Sequence, residues 1–138
     1  MSQRKIEQGF SLIEILVAIV IICFGLLGVA GLLTTGLKNT HSSQYRTQAS
    51  FLAYDMAERM RQNRQVALNG EYSTSTTATN TIAANDKTQW QAEIGKLPSG
   101  VGIVAMTNTT FFTITVQWDD SKAAGGGATE QFVFRGEL

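Results

Sequence analysis

From Ile15 to Leu33 the chain runs nineteen residues without a charged side chain. As a helix rising about 1.5 Å per residue, that run covers roughly 28 Å, close to the hydrocarbon thickness of a bilayer. No ordinary domain of this size needs so long an apolar stretch in its own core. The run is bounded abruptly. Met1 to Gly9 (MSQRKIEQG) is polar and carries Arg4 and Lys5 against Glu7, whereas Phe10 to Leu33 carries one charge, Glu14. Basic residues on the N-terminal side predict that this end stays in the cytoplasm and the rest of the chain goes outward. A secretory signal would share the basic start, but its apolar stretch is shorter and does not hold a carboxylate near its beginning.

Beyond the run, 34–68 reads as a continuation of the same helix. Thr34 to Arg64 lacks proline, and Tyr45, Ala49, Leu52, Ala53, Met56 and Met60 recur at three- and four-residue spacing, which marks one buried face. Asn69-Gly70 closes it, and Ser73 to Thr81 (STSTTATNT) is expected to be an exposed loop. Asp86 with Gln89 resembles a capping box that would open a short second helix carrying Trp90, Ile94 and Leu97 and ending before Pro98. Phe112, Ile114, Val116 and Trp118 alternate with polar residues as in a half-buried strand, with Val101 to Met106 and Gln131 to Arg135 as its partners. The glycine-rich Asp119 to Ala128 reads as the connecting loop. One long helix packed on a small antiparallel sheet is an α+β arrangement.

Several function classes are disfavoured. Eleven Lys and Arg balance eleven Asp and Glu, so no net field draws the chain to nucleic acid. The lone Cys23 forms no disulfide within the chain and sits as a small apolar residue inside the run. The single histidine, His41, has no companion at ligand spacing, so neither metal nor cofactor is expected. Asp119, Asp120, Ser121 and Glu130 lack the spacing of a calcium loop and read as a solvated turn. No nucleophile, base and acid set is recognisable, so enzyme activity is not expected.

Glu14 is the residue that most demands explanation, because a carboxylate in the first turns of a membrane helix costs on the order of 2.5 to 3.5 kcal/mol unless partnered. It either reaches back to the cytoplasmic interface or meets a cation. Gly25, Gly28 and Gly31 recur every third residue, each costing about 1 kcal/mol of helix propensity against alanine. Close helix packing, local unwinding, or the general frequency of glycine in membrane helices each accounts for them.

Gly9-Phe10-Ser11-Leu12-Ile13-Glu14, preceded by Arg4 and Lys5 and followed by the apolar run, resembles the class III leader of type IV pilins and their relatives. The resemblance implies a pilin-like α+β fold. It implies cleavage between Gly9 and Phe10 by prepilin peptidase, a membrane-embedded aspartyl enzyme, and N-methylation of Phe10. A side chain at position 9 would obstruct the extended backbone that a protease grips. For Glu14 the resemblance supplies a partner, the α-amine of Phe10 on a neighbouring subunit. That group ordinarily titrates near pH 8 and is mostly protonated at neutral pH. Pairing of Glu14 with the amine of its own mature chain, one helical turn away, is also sterically open.

Major pilins usually carry a proline midway along this helix and often a disulfide near the C-terminus. Here the only proline is Pro98 and the only cysteine Cys23. Phe51 to Asn63 (FLAYDMAERMRQN), Gly70-Glu71-Tyr72, Gln89-Trp90 and Leu97-Pro98-Ser99-Gly100 look like the minor pilin family called PilV. That resemblance implies a structural subunit that primes pilus assembly and influences adhesion or twitching motility. Its partners would be other minor pilins, the major pilin, the inner-membrane assembly platform and membrane lipid.

The implied organisation is a cleaved cytoplasmic leader at 1–9, a transmembrane and filament-core helix at 10–33, the periplasmic half of the helix at 34–68, and an outer region at 69–138. The protein would sit in the inner membrane and then in the pilus. Two other readings remain. One is a minor pseudopilin of a type II secretion system; the other is an uncleaved, single-pass anchored periplasmic binding domain.

Overall fold

The computed structural model describes residues 10–108 and 110–138. The chain divides between Leu37 and Lys38 into two compact units. Helix α1 (Leu12–Gln62) contributes to both. It is followed by α2 (Arg64–Leu68), α3 (Thr81–Ile94), β1 (Val101–Met106), β2 (Phe111–Trp118) and β3 (Glu130–Glu137).

The N-terminal unit is the apolar part of α1. Leucine and alanine propagate a helix readily, and its side chains lie exposed, as at Leu12, Leu26 and Leu32. Among the described residues, α1 is the one helix long and apolar enough to cross a membrane. Thr34 and Thr35 donate their hydroxyls to the carbonyls of Ala30 and Gly31, at 3.0 and 3.1 Å. The first polar side chains after the apolar run are thus satisfied within the helix itself.

In the C-terminal unit the strands form an antiparallel sheet in the order β1-β2-β3. Ile103, Thr115 and Val133 lie in one row, and Val104, Ile114 and Phe134 in the next. Alternation puts Val104, Phe112, Ile114, Val116 and Trp118 on the inner face, where they meet the helices. From α1 the buried residues are Ala49, Leu52, Ala53, Met56, Ala57 and Met60. Alanines at three of these positions let the helix backbone approach closely, and Tyr54 on its flank lies 4.7 Å from Phe134, ring centre to ring centre. The outer edge of β1 is covered. Thr74 donates its N–H to the carbonyl of Val104 at 2.9 Å and accepts from the Val104 N–H through its hydroxyl oxygen.

Trp90 ties the layers together. It is 1% exposed, and its indole N–H donates to the carbonyl of Leu52 in α1 at 2.8 Å. A Cβ at Gly102 in β1 would collide with the Trp90 ring and the Ile94 side chain, so that strand position stays empty for them. Trp90→Ala is expected to cost about 3 to 5 kcal/mol, the usual penalty for emptying so large a buried site. The check is the urea midpoint of the full chain in detergent, followed by circular dichroism; a loss under about 1 kcal/mol would remove Trp90 from this role.

Two expectations about α3 and its approach are corrected. The helix starts at Thr81, capped by Asn80, whose side chain accepts from the N–H groups of Ile82 and Ala83 at 3.0 and 3.2 Å. Asp86 and Gln89 lie inside the helix, and both accept from the Arg59 guanidinium, at 3.0 and 3.1 Å. Their three-residue spacing mimics a capping box because residues that far apart share one face. Ser73 to Thr81 is not simply an exposed loop. Ser73 is buried, and the Lys87 ammonium donates to the carbonyls of Ser73 and Thr76, each at 2.6 Å, and to that of Glu71 at 3.3 Å. Burial pulls the Lys87 pKa below its usual value, against the charge of Glu71. Glu71 accepts from the N–H and hydroxyl of Thr79, both at 2.6 Å, and these bonds hold its carboxyl below the usual range.

Tyr72 completes the network. Its side chain is fully buried, and its hydroxyl donates to Asp86 at 2.6 Å and accepts from the Asn63 amide at 3.2 Å. Burial first, then the Asp86 carboxylate, pushes its pKa up to about 12 from 10.0. The folded state therefore keeps a proton that the unfolded chain loses near pH 10. The stability this contributes is complete below that pH and is lost as pH rises towards about 12. Urea midpoints across this window are expected to fall more steeply for the native chain than for Tyr72→Phe; parallel curves would contradict the assignment.

Candidate functional site

Phe10 is 80% exposed, and α1 begins two residues later, its first turn closed by the Glu14 N–H bonding to the Ser11 carbonyl at 3.0 Å. A carboxylate in the first turn of a helix is favoured by the free N–H groups there. That helps Glu14 but supplies no counter-charge. The side chain is exposed, and among the described residues it makes no ion pair. Gly9 lies outside the described residues, so the expected processing position at Gly9-Phe10 rests on the sequence alone.

At 3.6 residues per turn, Gly25 and Gly28 fall within about 40° of the Glu14 direction, while Gly31 lies about a quarter turn away. The three glycines therefore do not line up on one face. An added Cβ at any of them meets nothing within 4 Å among the described residues. Nothing among the described residues demands glycine there.

Residues 4–30 match the prokaryotic N-terminal methylation motif. The match covers the basic leader, the Gly9-Phe10 junction, Glu14 and most of the apolar run, and it supports a protein of the type IV pilin or pseudopilin kind. The leader implies processing by prepilin peptidase and assembly with other pilins, and with the apolar helix it points to membrane anchoring. Proteins built on this leader are structural rather than catalytic. No curated protein and no solved structure matches the chain.

Elsewhere the chain carries polar groups whose partners are not evident from the sequence. Asp120, read as part of a solvated turn, is only 5% exposed and accepts from the Ser42 hydroxyl of α1. A Cβ at Gly126 would run into the Asp120 carbonyl, so the glycine-rich loop folds tightly around that residue. Its neighbour Asp119 is half-buried, and the hydroxyl and N–H of Ser121 hold its carboxyl below the usual range, helped by Lys122. Arg59, between Asp55 and Asp86, is raised despite burial, because both carboxylates bond to it. No group of three or more metal-ligating side chains occurs among the described residues. His41 is exposed and stacks on Tyr45 with ring centres 6.5 Å apart.

Proposed function

We propose that this chain is a minor pilin, most like the PilV family, that helps prime assembly of a type IV pilus. It enters the inner membrane with residues 1–9 in the cytoplasm, 10–33 in the bilayer and the rest in the periplasm. Prepilin peptidase removes the leader after Gly9, Phe10 is N-methylated, and the helix passes from lipid into the filament core. Its work is assembly, and it performs no catalysis.

The observation that carries this reading is the methylation motif at residues 4–30 joined to an exposed apolar helix whose one charge, Glu14, has no cation among the described residues. A freshly exposed amine on the Phe10 of a neighbouring subunit would neutralise that charge and fix the axial register of apolar helices that otherwise slide freely. The missing helix proline and the single cysteine favour a minor over a major subunit. Gly25, Gly28 and Gly31 would serve neighbouring helices or let the helix loosen on leaving lipid, since nothing among the described residues requires them.

Deleting the gene tests the system to which the subunit contributes. Twitching motility and surface pili are expected to fall while exoprotein secretion stays normal. The reverse pattern would make the chain a pseudopilin of a type II secretion system.

A further inference from the structure

A cleft of about 730 Å³ opens in the C-terminal unit between the start of its helix, the turn before β1 and the loop after β2. Its walls include Lys38, His41, Tyr45, Ser99, Asp119 and Lys122. The turn is tied to the loop after β2. The Asp119 N–H donates to the Pro98 carbonyl at 2.8 Å, and Ser99 sits at φ 49°, a left-handed conformation that serine seldom adopts.

We propose that this cleft binds the headgroup of a membrane phospholipid of the ethanolamine type, with Lys38 and Lys122 on the phosphodiester and Asp119 on the primary ammonium. Two lysines and two aspartates, Asp119 and Asp120, line the cleft, so their formal charges cancel. A bare anion would meet the carboxylates, and a bare cation the ammoniums; a zwitterion satisfies both. Lys38 makes no ion pair among the described residues, and the ammonium is a compact point charge suited to phosphate. Asp119 keeps acceptor capacity beyond its two bonds from Ser121, and the Tyr45 ring on the same wall offers a face to an alkylammonium.

The choice of lipid over a dissolved zwitterion comes from the chain itself. Lys38 follows Leu33 by only five residues, so the chain itself holds it within about 18 Å of the end of the apolar run. The headgroup layer on each side of a bilayer is about 5 to 7 Å deep. A lysine at that distance from the apolar run has lipid phosphates within reach. This step rests on the reading that the run spans a membrane; the binding chemistry of the cleft does not.

The test uses the full chain in non-ionic detergent, titrated with dihexanoyl phosphatidylethanolamine, the corresponding choline and glycerol lipids, and inorganic phosphate, followed by phosphorus NMR. Saturable binding of the ethanolamine lipid is expected, about fivefold or more tighter than the other three, the scale of one favourable exposed ion pair. Lys122→Ala, on an exposed loop, is expected to weaken it by about the same factor, and Asp119→Asn to bring it down to the choline level. Equal signals for every headgroup and variant, meaning partition into micelles only, would overturn the proposal. So would tighter binding of the glycerol lipid or of phosphate, which would make the cleft an anion site. Flotation of the full chain with vesicles reports membrane insertion separately, so the failure of either claim is distinguishable.

Discussion

With Gly9→Leu, the chain is expected to accumulate in the inner membrane uncut, and its mass to include the whole leader. A protease holds its substrate extended, and glycine leaves the backbone next to the scissile bond unobstructed. A branched side chain at that position adds bulk where the enzyme must close on the chain. The methylation motif covers this junction, and the Phe10 that follows is exposed at the head of α1. Because the lesion precedes the membrane run, neither insertion nor the folding of the C-terminal unit should change. Intact mass of the membrane-extracted variant is the check, and a normally trimmed product would refute the cleavage assignment.

Glu14→Ala is expected to be trimmed normally yet to reach pili at about one tenth of the native level or less. An unpartnered carboxylate in a membrane helix costs on the order of 2.5 to 3.5 kcal/mol, and each 1.4 kcal/mol is about tenfold in an equilibrium. If a neighbour's amine offsets that cost, losing the pair removes what distinguishes the correct axial position from its alternatives. Glu14→Gln separates charge from shape. It keeps the length and hydrogen-bonding capacity of the side chain but cannot neutralise an ammonium, so it should fail as alanine does. Normal incorporation of the alanine variant would contradict the role given to the carboxylate. Normal incorporation of glutamine alone would replace charge pairing by simple hydrogen bonding.

The parts of the fold legible in the sequence are those set by long periodic patterns. The spacing of Ala49, Leu52, Ala53, Met56 and Met60 marks the face of α1 that is buried. The alternation from Phe112 to Trp118 gives the central strand, and Val101 to Met106 pairs with it as expected. β3 extends one residue earlier and two later than Gln131 to Arg135. Boundaries and polar contacts were less legible, because they depend on residues distant in the chain. Asn80 lies in a stretch dense with capping residue types, so only the structure singles it out from its neighbours. Asp86 and Gln89 were misread because the partner that explains them, Arg59, is on another helix. Lys87 gathers the 71–76 carbonyls and Ser42 meets Asp120 across 78 residues, which no local pattern records. Asn63, whose backbone leaves the helical region, separates α1 from α2 in a stretch without proline or glycine. At the N-terminus the situation is reversed. Glu14 stands out in the sequence as the one charge of an apolar run, and the structure adds its exposure but no ion pair among the described residues.

The most direct measurement is the intact mass and N-terminal sequence of the unaltered protein, extracted from membranes of cells that make it together with its own peptidase. A chain beginning at N-methylated Phe10, lighter by MSQRKIEQG, is the predicted result. A chain that retains those nine residues would contradict the account, and an anchored periplasmic domain would then describe the protein better.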